Sequence, residues 1–188
     1  MSESRRIFVI SGPSGCGKNT VYDELKKRFP NIAQTVSATT RAMRKGEVDG
    51  ADYYFIPEEE FLRRVKNGDF VEYVRYGDNY YGTLKSEISR LTDDGKTVIL
   101  IIEVNGAANI KRILPDAVSV FISPPSFDEL KKRIVGRGTN SPEDTEKRIE
   151  IAKEEMRYKD TYDHIVVNDD LDECVDKIGE IIKGAEKK

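Results

Sequence analysis

A glycine-rich loop between a short apolar run and a helical pattern constrains this sequence more than any other feature. The apolar run at 7–10 leads into GPSGCGK at 12–18, and a helix is predicted to begin at about Lys18. The spacing G-x-x-x-x-G-K in this strand–loop–helix setting is that of a Walker A phosphate-binding loop. Glycine lets backbone N–H groups approach an anion, the helix adds the positive end of its dipole, and lysine adds a mobile charge. The sequence therefore predicts a site for the phosphate chain of a nucleotide rather than an ordinary glycine turn.

The position after the lysine departs from this motif. A Ser or Thr hydroxyl usually ligates Mg²⁺ there, whereas this sequence has Asn19 followed by Thr20. An amide oxygen is also a hard ligand for Mg²⁺. The sequence leaves open whether Asn19, Thr20 or water takes that place.

The overall composition limits the classes of partner. The chain has 188 residues, enough for one domain with inserted parts, and its formal net charge is only -3 although 35% of the residues are charged. Without a basic excess we expect no nucleic-acid partner. The two cysteines, Cys16 and Cys174, stand far apart in no ligand spacing. Together with the phosphate loop this indicates a reducing, cytoplasmic location, with no signal peptide and no membrane association.

Short apolar runs alternate with helical patterns along the rest of the chain. This order predicts an α/β fold with a parallel sheet and helices on both faces. Further strands are predicted at 32–36, 53–55, 70–76, 80–82, 97–102, 117–122 and 165–167. Further helices are predicted after Pro57, over 84–91, over 106–114, from Phe127, from Pro142 and over 171–182. The strand-rich segment 37–83 lies between two strand–helix units, so we expect it to be an insert.

Two groups of arginines could hold phosphate. Arg41 and Arg44 lie in a loop rich in Ser and Thr, where guanidinium groups are either solvated or grip a phosphate. Arg133 and Arg137 lie at a helix end and Arg148 on the following helix; such residues usually compensate the helix dipole. Glycines on both sides of Arg137 favour a mobile lid instead.

A phosphate loop and two cationic groups together suggest phosphoryl transfer between two phosphate chains, which needs alignment and positive charge more than covalent chemistry. A phosphate monoester has a second pKa of about 6 and is itself a dianionic nucleophile, so no general base is needed. The sequence accordingly offers no histidine or carboxylate pair that resembles one. We interpret the only histidine, His164, as structural or exposed.

Glu72 lies in a predicted strand and has two interpretations. It is either a solvent-facing strand residue or an acceptor for a base with two adjacent N–H donors. Guanine presents such donors on its Watson–Crick edge and adenine does not. Ser37 and Thr83 flank the same insert, and their hydroxyls could donate hydrogen bonds to the carbonyl of the base.

Five segments resemble motifs of the guanylate kinase family. They occur in the same order as in the family and extend over nearly the whole chain. They are GPSGCGK, SATTRAMRKGEVDGADYYF, EYVRYGDNYYGT, GRG and VVNDDL. The resemblance implies a three-layer P-loop NTPase core at 1–36, 84–126 and 149–188, a GMP-binding insert at 37–83 and a short lid at 127–148. It also implies the reaction of ATP with GMP, and of dGMP as well, to give ADP and the nucleoside diphosphate with Mg²⁺. Its role would be nucleotide recycling and GTP supply.

The resemblance also implies roles for individual residues. The catalytic cations would be Lys18, Arg41, Arg133, Arg137 and Arg148. The ATP-binding residues would be Gly12, Pro13, Ser14, Gly15, Cys16, Gly17, Lys18, Asn19, Thr20 and Asn168. The GMP-binding residues would be Ser37, Arg41, Arg44, Tyr53, Glu72, Tyr81, Thr83 and Glu103.

The sequence departs from the family pattern at one further place. The family usually has acid-x-Asp at the end of the third core strand, whereas this chain has Ile101 and Glu103. We therefore expect activity with altered affinity for Mg²⁺ or GMP. Two alternatives are a guanylate-kinase-like binding module without catalysis and a sister kinase whose acceptor is a phosphorylated ribose. The sequence leaves open whether the protein is a monomer or a homodimer.

Overall fold

The computed structural model describes residues 6–136 and 142–186 of the chain. Strands and helices alternate as predicted. The strands are β1 (Ile7–Ser11), β2 (Ile32–Gln34), β3 (Ala38–Thr39), β4 (Tyr54–Phe55), β5 (Phe70–Tyr76), β6 (Asn79–Leu84), β7 (Thr97–Ile101), β8 (Val118–Ser123) and β9 (His164–Val167). The helices are α1 (Lys18–Arg28), α2 (Glu58–Asn67), α3 (Lys85–Asp93), α4 (Val104–Ile113), α5 (Phe127–Gly136), α6 (Pro142–Met156) and α7 (Leu171–Glu186).

The core is a parallel five-stranded sheet in the order β2-β7-β1-β8-β9 with helices on both faces. Alternate residues of the central strand β1 serve opposite faces. Phe8 and Ile10 pack with residues of α1 and α7, whereas Ile7 and Val9 pack with residues of α3 and α4. Burial on both faces explains why β1 and β7 are continuous apolar runs. The α/β fold with a three-layer core is therefore confirmed.

The insert forms a second, mixed sheet in the order β4-β3-β6-β5. Its own apolar cluster is centred on Phe61 of α2, whose ring stacks on Phe70 at 4.4 Å and on Tyr80 at 5.4 Å between centroids. Val71 of β5 instead joins the core cluster beside α4, so one strand of the insert also packs on the core. This packing brings the insert to the carboxyl edge of the main sheet, where the glycine-rich loop follows β1.

Several boundaries differ from the sequence predictions. The segment at 37–47 has no hydrophobic period, yet Ala38 and Thr39 form β3, because a two-residue strand is too short to show one. Helix α4 begins at Val104 rather than at 106. The hairpin turn contains only Gly77 and Asp78, since Asn79 already pairs with Tyr76. In the described part of the chain, no helix has the length and apolar character that crossing a membrane requires.

Candidate active site

The phosphate loop joins β1 to α1 in a conformation that favours glycine at 12, 15 and 17, where φ is positive. Gly17 caps α1 with φ 93°, and a Cβ atom there would lie 2.7 Å from the side-chain nitrogen of Asn168. A Cβ atom on Gly12 would lie 2.3 Å from the carbonyl oxygen of Ile122. The Cys16 N–H donates to the carbonyl of Pro13 at 3.1 Å and closes the turn. The Cys16 side chain is buried, so this residue can offer a ligand only its backbone.

Two groups of the loop have partners inside the protein. The Lys18 ammonium donates to the carbonyls of Gly12 at 2.6 Å and Pro13 at 3.2 Å, so its side chain folds over the loop. The N–H of Ser14 donates to a carboxylate oxygen of Glu155 at 3.0 Å. Both donors, which a phosphate chain could use, are therefore bonded to oxygens of the protein itself.

A cavity of about 350 Å³ opens between the loop, the insert and the ends of the core strands. It gathers most of the side chains that the sequence predicts for the two substrates. These are Ser14, Lys18, Asn19, Ser37, Arg41, Arg44, Tyr53, Glu72, Tyr81, Glu103 and Arg148. A larger cavity of about 620 Å³ lies at the opposite edge of the sheet, between β9 and the end of α7, and none of the predicted site residues lines it.

Arg41 is held in place at one end of the cavity. Its guanidinium makes a two-pronged ion pair with Glu47, with N–O distances of 2.8 and 3.0 Å, and lies 5.4 Å from the ring centroid of Tyr53. Glu47 also accepts the N–H of Arg44 at 2.7 Å. The hydrogen bond from Arg41, followed by that from Arg44, lowers the pKa of Glu47. Glu47 was not among the residues predicted from sequence, although an acid within a cationic loop is a signal for such a partner.

Glu72 lies at another side of the cavity and is buried, with 6% of its surface exposed, so it is not a solvent-facing strand residue. One of its oxygens accepts the hydroxyl hydrogen of Thr83 at 2.9 Å. A Cβ atom on Gly106 would lie only 3.0 Å from the other oxygen, so glycine leaves room for this carboxylate. Burial raises the pKa of Glu72, the bond from Thr83 opposes the rise, and repulsion from Glu103 adds to it.

Three carboxyl groups line this one cavity, although they are far apart in sequence. Besides Glu72 they are Glu103, at the start of α4, and Glu155, near the end of α6. Desolvation raises the pKa of both Glu103 and Glu155; repulsion from Glu155 adds to the rise at Glu103, and Lys18 opposes it at both. Glu155 was not predicted from sequence, because α6 shows no period that distinguishes it from its charged neighbours.

The remaining predicted residues that the structure describes lie behind or beside the cavity. Arg133 donates to the carbonyl of Asn168 at 3.0 Å, and the Asn168 side chain donates to the carbonyl of Cys16 at 2.8 Å. These two residues therefore support the back of the loop. The hydroxyl of Thr83 donates to the carboxylate of Glu72, which lines the cavity. Thr20 is exposed on α1. Arg137 lies outside the described residues.

The oxygen donors near the loop suit a Mg²⁺ ion that arrives with a nucleotide. Asn19 lines the cavity next to Lys18, and its amide oxygen is a hard donor. Within residues 6–136 and 142–186, no three His, Cys, Asp or Glu side chains are grouped to hold a metal ion on their own. Mg²⁺ is usually held by few protein ligands together with substrate phosphates and water, which this donor set fits.

A phosphate loop at the carboxyl edge of a parallel sheet, facing an acceptor cavity built by an insert, defines a P-loop kinase that acts on a small phosphorylated acceptor. A family model described as guanylate kinase matches residues 4–185. The chain therefore belongs to the guanylate kinase family.

Individual relatives agree with this assignment. The chain is 43% identical to a guanylate kinase of Oceanobacillus iheyensis over 100% of this chain and 91% of the relative. It is 45% identical to one of Lactococcus lactis over 97% of this chain and 89% of the relative. A crystal structure of guanylate kinase from Anaplasma phagocytophilum is similar with TM-score 0.78 and 36% identity, and the match covers 97% of this chain and 86% of that one. The enzyme interpretation is confirmed over the binding-module alternative.

Proposed function

We infer that the protein transfers the γ-phosphoryl group of ATP to GMP and so forms ADP and GDP. The observation that carries this inference is a single cavity with Lys18 of the phosphate loop, Arg41 on the insert and the buried carboxylate of Glu72 on its walls. Membership of the guanylate kinase family supports the same reaction. A kinase for a phosphorylated ribose would have no use for a buried acceptor of base N–H groups.

We propose that the guanine base binds at Glu72 and Ser37. The hydroxyl of Thr83 takes one acceptor position on Glu72, and the carboxylate keeps lone pairs on both oxygens to accept from N1–H and the exocyclic amine of guanine. Adenine has no donor at N1 and would leave this buried acceptor unpaired, which costs about 1–3 kcal/mol. The base end of the cavity thereby selects the acceptor nucleotide.

The phosphate of GMP is proposed to bind to Arg41, Arg44, Tyr53 and Tyr81. The ion pair with Glu47 and the ring of Tyr53 hold Arg41 in the cavity before any ligand arrives. Glu47 and the carbonyl of Ala42 take up part of its five N–H donors, and the remaining donors can bind phosphate oxygens. A phosphate monoester has a second pKa of about 6, so the phosphate of GMP is a dianion near neutral pH and can act as the nucleophile without a general base.

Lys18, with Arg148 and Arg137, is proposed to stabilise the transferred group. The transition state spreads negative charge over the moving phosphoryl oxygens, so fixed and mobile cations stabilise it more than the ground state. Lys18 must exchange its bonds to Gly12 and Pro13 for phosphate oxygens when ATP binds. Mg²⁺ bound to ATP would neutralise charge on the phosphate chain, with Asn19 as the proposed protein ligand.

The division into parts is also a proposal. We propose a core at 1–36, 84–126 and 149–188, a GMP-binding insert at 37–83 and a lid at 127–148 that close on the substrates. The proposed acceptor contacts go to base and phosphate, so dGMP is included as an acceptor. Two cysteines that are buried and unpaired agree with a reducing compartment, for which we propose the cytoplasm. There the product GDP would supply GTP synthesis.

A coupled assay of ADP release tests the reaction directly. The purified protein is given ATP and Mg²⁺ with GMP, dGMP, AMP, UMP or CMP in turn. We expect turnover with GMP and dGMP and at most traces with the other three nucleotides. Equal turnover of AMP and GMP would contradict the role of Glu72, and no turnover of GMP would contradict the proposed reaction.

A further inference from the structure

Of the carboxylates that line the cavity among the described residues, Glu155 is the one that bonds to the phosphate loop itself. It lies near the carboxyl end of α6, yet its side chain crosses to the loop and accepts the N–H of Ser14 at 3.0 Å. The bond joins residues 141 positions apart in the sequence. It is therefore a tertiary contact between α6 and the loop rather than a local turn.

The N–H groups of such a loop are oriented to bind an anion. Burial raises the pKa of Glu155, whereas the Ser14 N–H and the nearby Lys18 ammonium favour its charged form. A carboxylate oxygen in this position imitates one oxygen of a phosphate group. It also adds negative charge beside the path of a nucleotide that carries several negative charges.

We propose that Glu155 is an internal competitor for the phosphate loop: its carboxylate holds the Ser14 N–H while the loop is empty and must withdraw before a phosphate chain binds. This inference rests on the proposed function only in naming ATP as the ligand that displaces it. Arg148 lies seven residues earlier on α6, two turns away on the same face, and lines the same cavity. Displacement of Glu155 therefore removes a bond between the loop and the helix that carries Arg148, one of the proposed catalytic cations.

The matched variants are Glu155→Gln and Glu154→Gln. Both remove one negative charge from adjacent positions of α6, but Glu154 is exposed and pairs with Arg157 at 2.9 Å. The probe is inorganic tripolyphosphate, titrated by calorimetry without GMP and without Mg²⁺. We expect Glu155→Gln to bind the probe about tenfold more tightly than wild type, because a competing charge-assisted hydrogen bond is lost. Glu154→Gln should bind it as wild type does.

Unchanged or weaker binding by Glu155→Gln would overturn the proposal, since Glu155 would then be a support that the phosphate site needs. Should Glu155→Gln not fold, Glu155→Asp takes its place: it keeps the charge, but the carboxylate is one methylene shorter and should also bind the probe more tightly. The amide resonance of Ser14 gives an independent readout. It should shift in both Glu155 variants without any ligand and stay in place in Glu154→Gln; a Ser14 resonance unaffected by either Glu155 variant would overturn the proposed contact.

The same preparations are assayed for GMP phosphorylation. If wild-type protein fails to phosphorylate GMP, the proposed function fails, but the tripolyphosphate comparison still decides whether Glu155 competes for the loop. If GMP is phosphorylated and Glu155→Gln has no tighter binding, only the present inference fails.

Discussion

The hydroxyl of Thr83 donates a 2.9 Å hydrogen bond to one carboxylate oxygen of Glu72, its direct partner across the antiparallel strands β5 and β6. The strand pairing is irregular between Phe70, which pairs with Leu84, and Glu72. This shift by one residue places Glu72 opposite Thr83, and both Phe70 and Glu72 are buried. Thr83 is fully buried and Gly106 approaches the second oxygen of Glu72. The bond from Thr83 thus fixes the orientation of the carboxylate, which keeps acceptor positions for a ligand.

The orientation of Glu72 predicts a defined loss on substitution by glutamine. The Glu72→Gln side chain presents an N–H₂ group either to Thr83 or to the donors of guanine, so one donor lacks a partner. We expect kcat/KM for GMP to fall by about five- to a hundredfold, which corresponds to the cost of about 1–3 kcal/mol for an unpaired buried group. The kcat/KM for AMP should change much less. Glu58→Gln, on an exposed part of the same insert, is the control, and unchanged discrimination between GMP and AMP would contradict the assignment.

Glu72 should also make stability depend on pH in a direction that its pKa decides. Burial raises its pKa in the folded protein above the ordinary value of 4.5. Between the two pKa values the folded state binds more protons than the unfolded state, so stability falls as pH rises through this window. Glutamine does not titrate.

The melting temperature of Glu72→Gln relative to wild type should therefore increase from pH 4 to pH 8. The measurement is thermal unfolding in the absence of nucleotide at a series of pH values, with Glu58→Gln again as the control. A difference that is constant over this range would show that Glu72 is as easily ionised when folded as when unfolded.

The features that can be predicted from the sequence alone are those that depend on residues close together in the chain. The glycines and lysine at 12–18 predict a phosphate-binding loop, and the apolar runs of β1 and β7 indicate strands buried on both faces. The burial of Glu72 does not follow from its own strand, because the packing of the insert on α4 decides it. The contact between Ser14 and Glu155 spans 141 positions and depends on where α6 ends in space. Arg137 stays a prediction, since it lies outside the described residues.

The ion pair between Arg41 and Glu47 predicts a positioning role for the acid. Arg41 is only 13% exposed, and both of its terminal nitrogens bond to Glu47. Glu47→Gln keeps the size of the side chain but weakens this pairing, so Arg41 loses its prearranged position. We expect the KM for GMP to rise about fivefold with a smaller change in kcat, as is typical for residues in one charge network.

Glu60→Gln provides the matched control for this prediction. Glu60 also pairs with arginines, Arg63 and Arg64, on the insert, but on the exposed side of α2. Its substitution should leave the KM for GMP unchanged. Equal effects of the two substitutions would mean that the overall charge of the insert, rather than the position of Arg41, controls binding.

Lys18 should matter for the chemical step more than for folding. Among the residues that the structure describes, its ammonium donates hydrogen bonds only to carbonyls of its own loop, so Lys18→Ala removes no hydrogen bond between helices there. We expect kcat to fall by about 10²–10³-fold, the usual effect of losing one group that stabilises transition-state charge. Lys27→Ala is the control, because Lys27 lies on the same helix with 72% of its side chain exposed. A Lys18→Ala enzyme within twofold of wild type would remove Lys18 from the catalytic cations.

Asn19 provides a direct test of how the metal is held. It stands where the motif usually has a hydroxyl ligand. Both Asn19 and Thr20 are exposed, but of the two only Asn19 lines the cavity with Lys18. We expect Asn19→Thr to restore the hydroxyl and to lower the Mg²⁺ concentration for half-maximal rate by about fivefold, the value of roughly one added polar contact. Titrating Mg²⁺ at saturating ATP and GMP measures this directly.

Thr20→Val decides between the two neighbouring residues. If it raises the Mg²⁺ concentration for half-maximal rate while Asn19→Thr does not lower it, Thr20 is the ligand. An unchanged requirement in both variants would mean that water, held by the phosphate chain, fills the place that the motif usually gives to a hydroxyl.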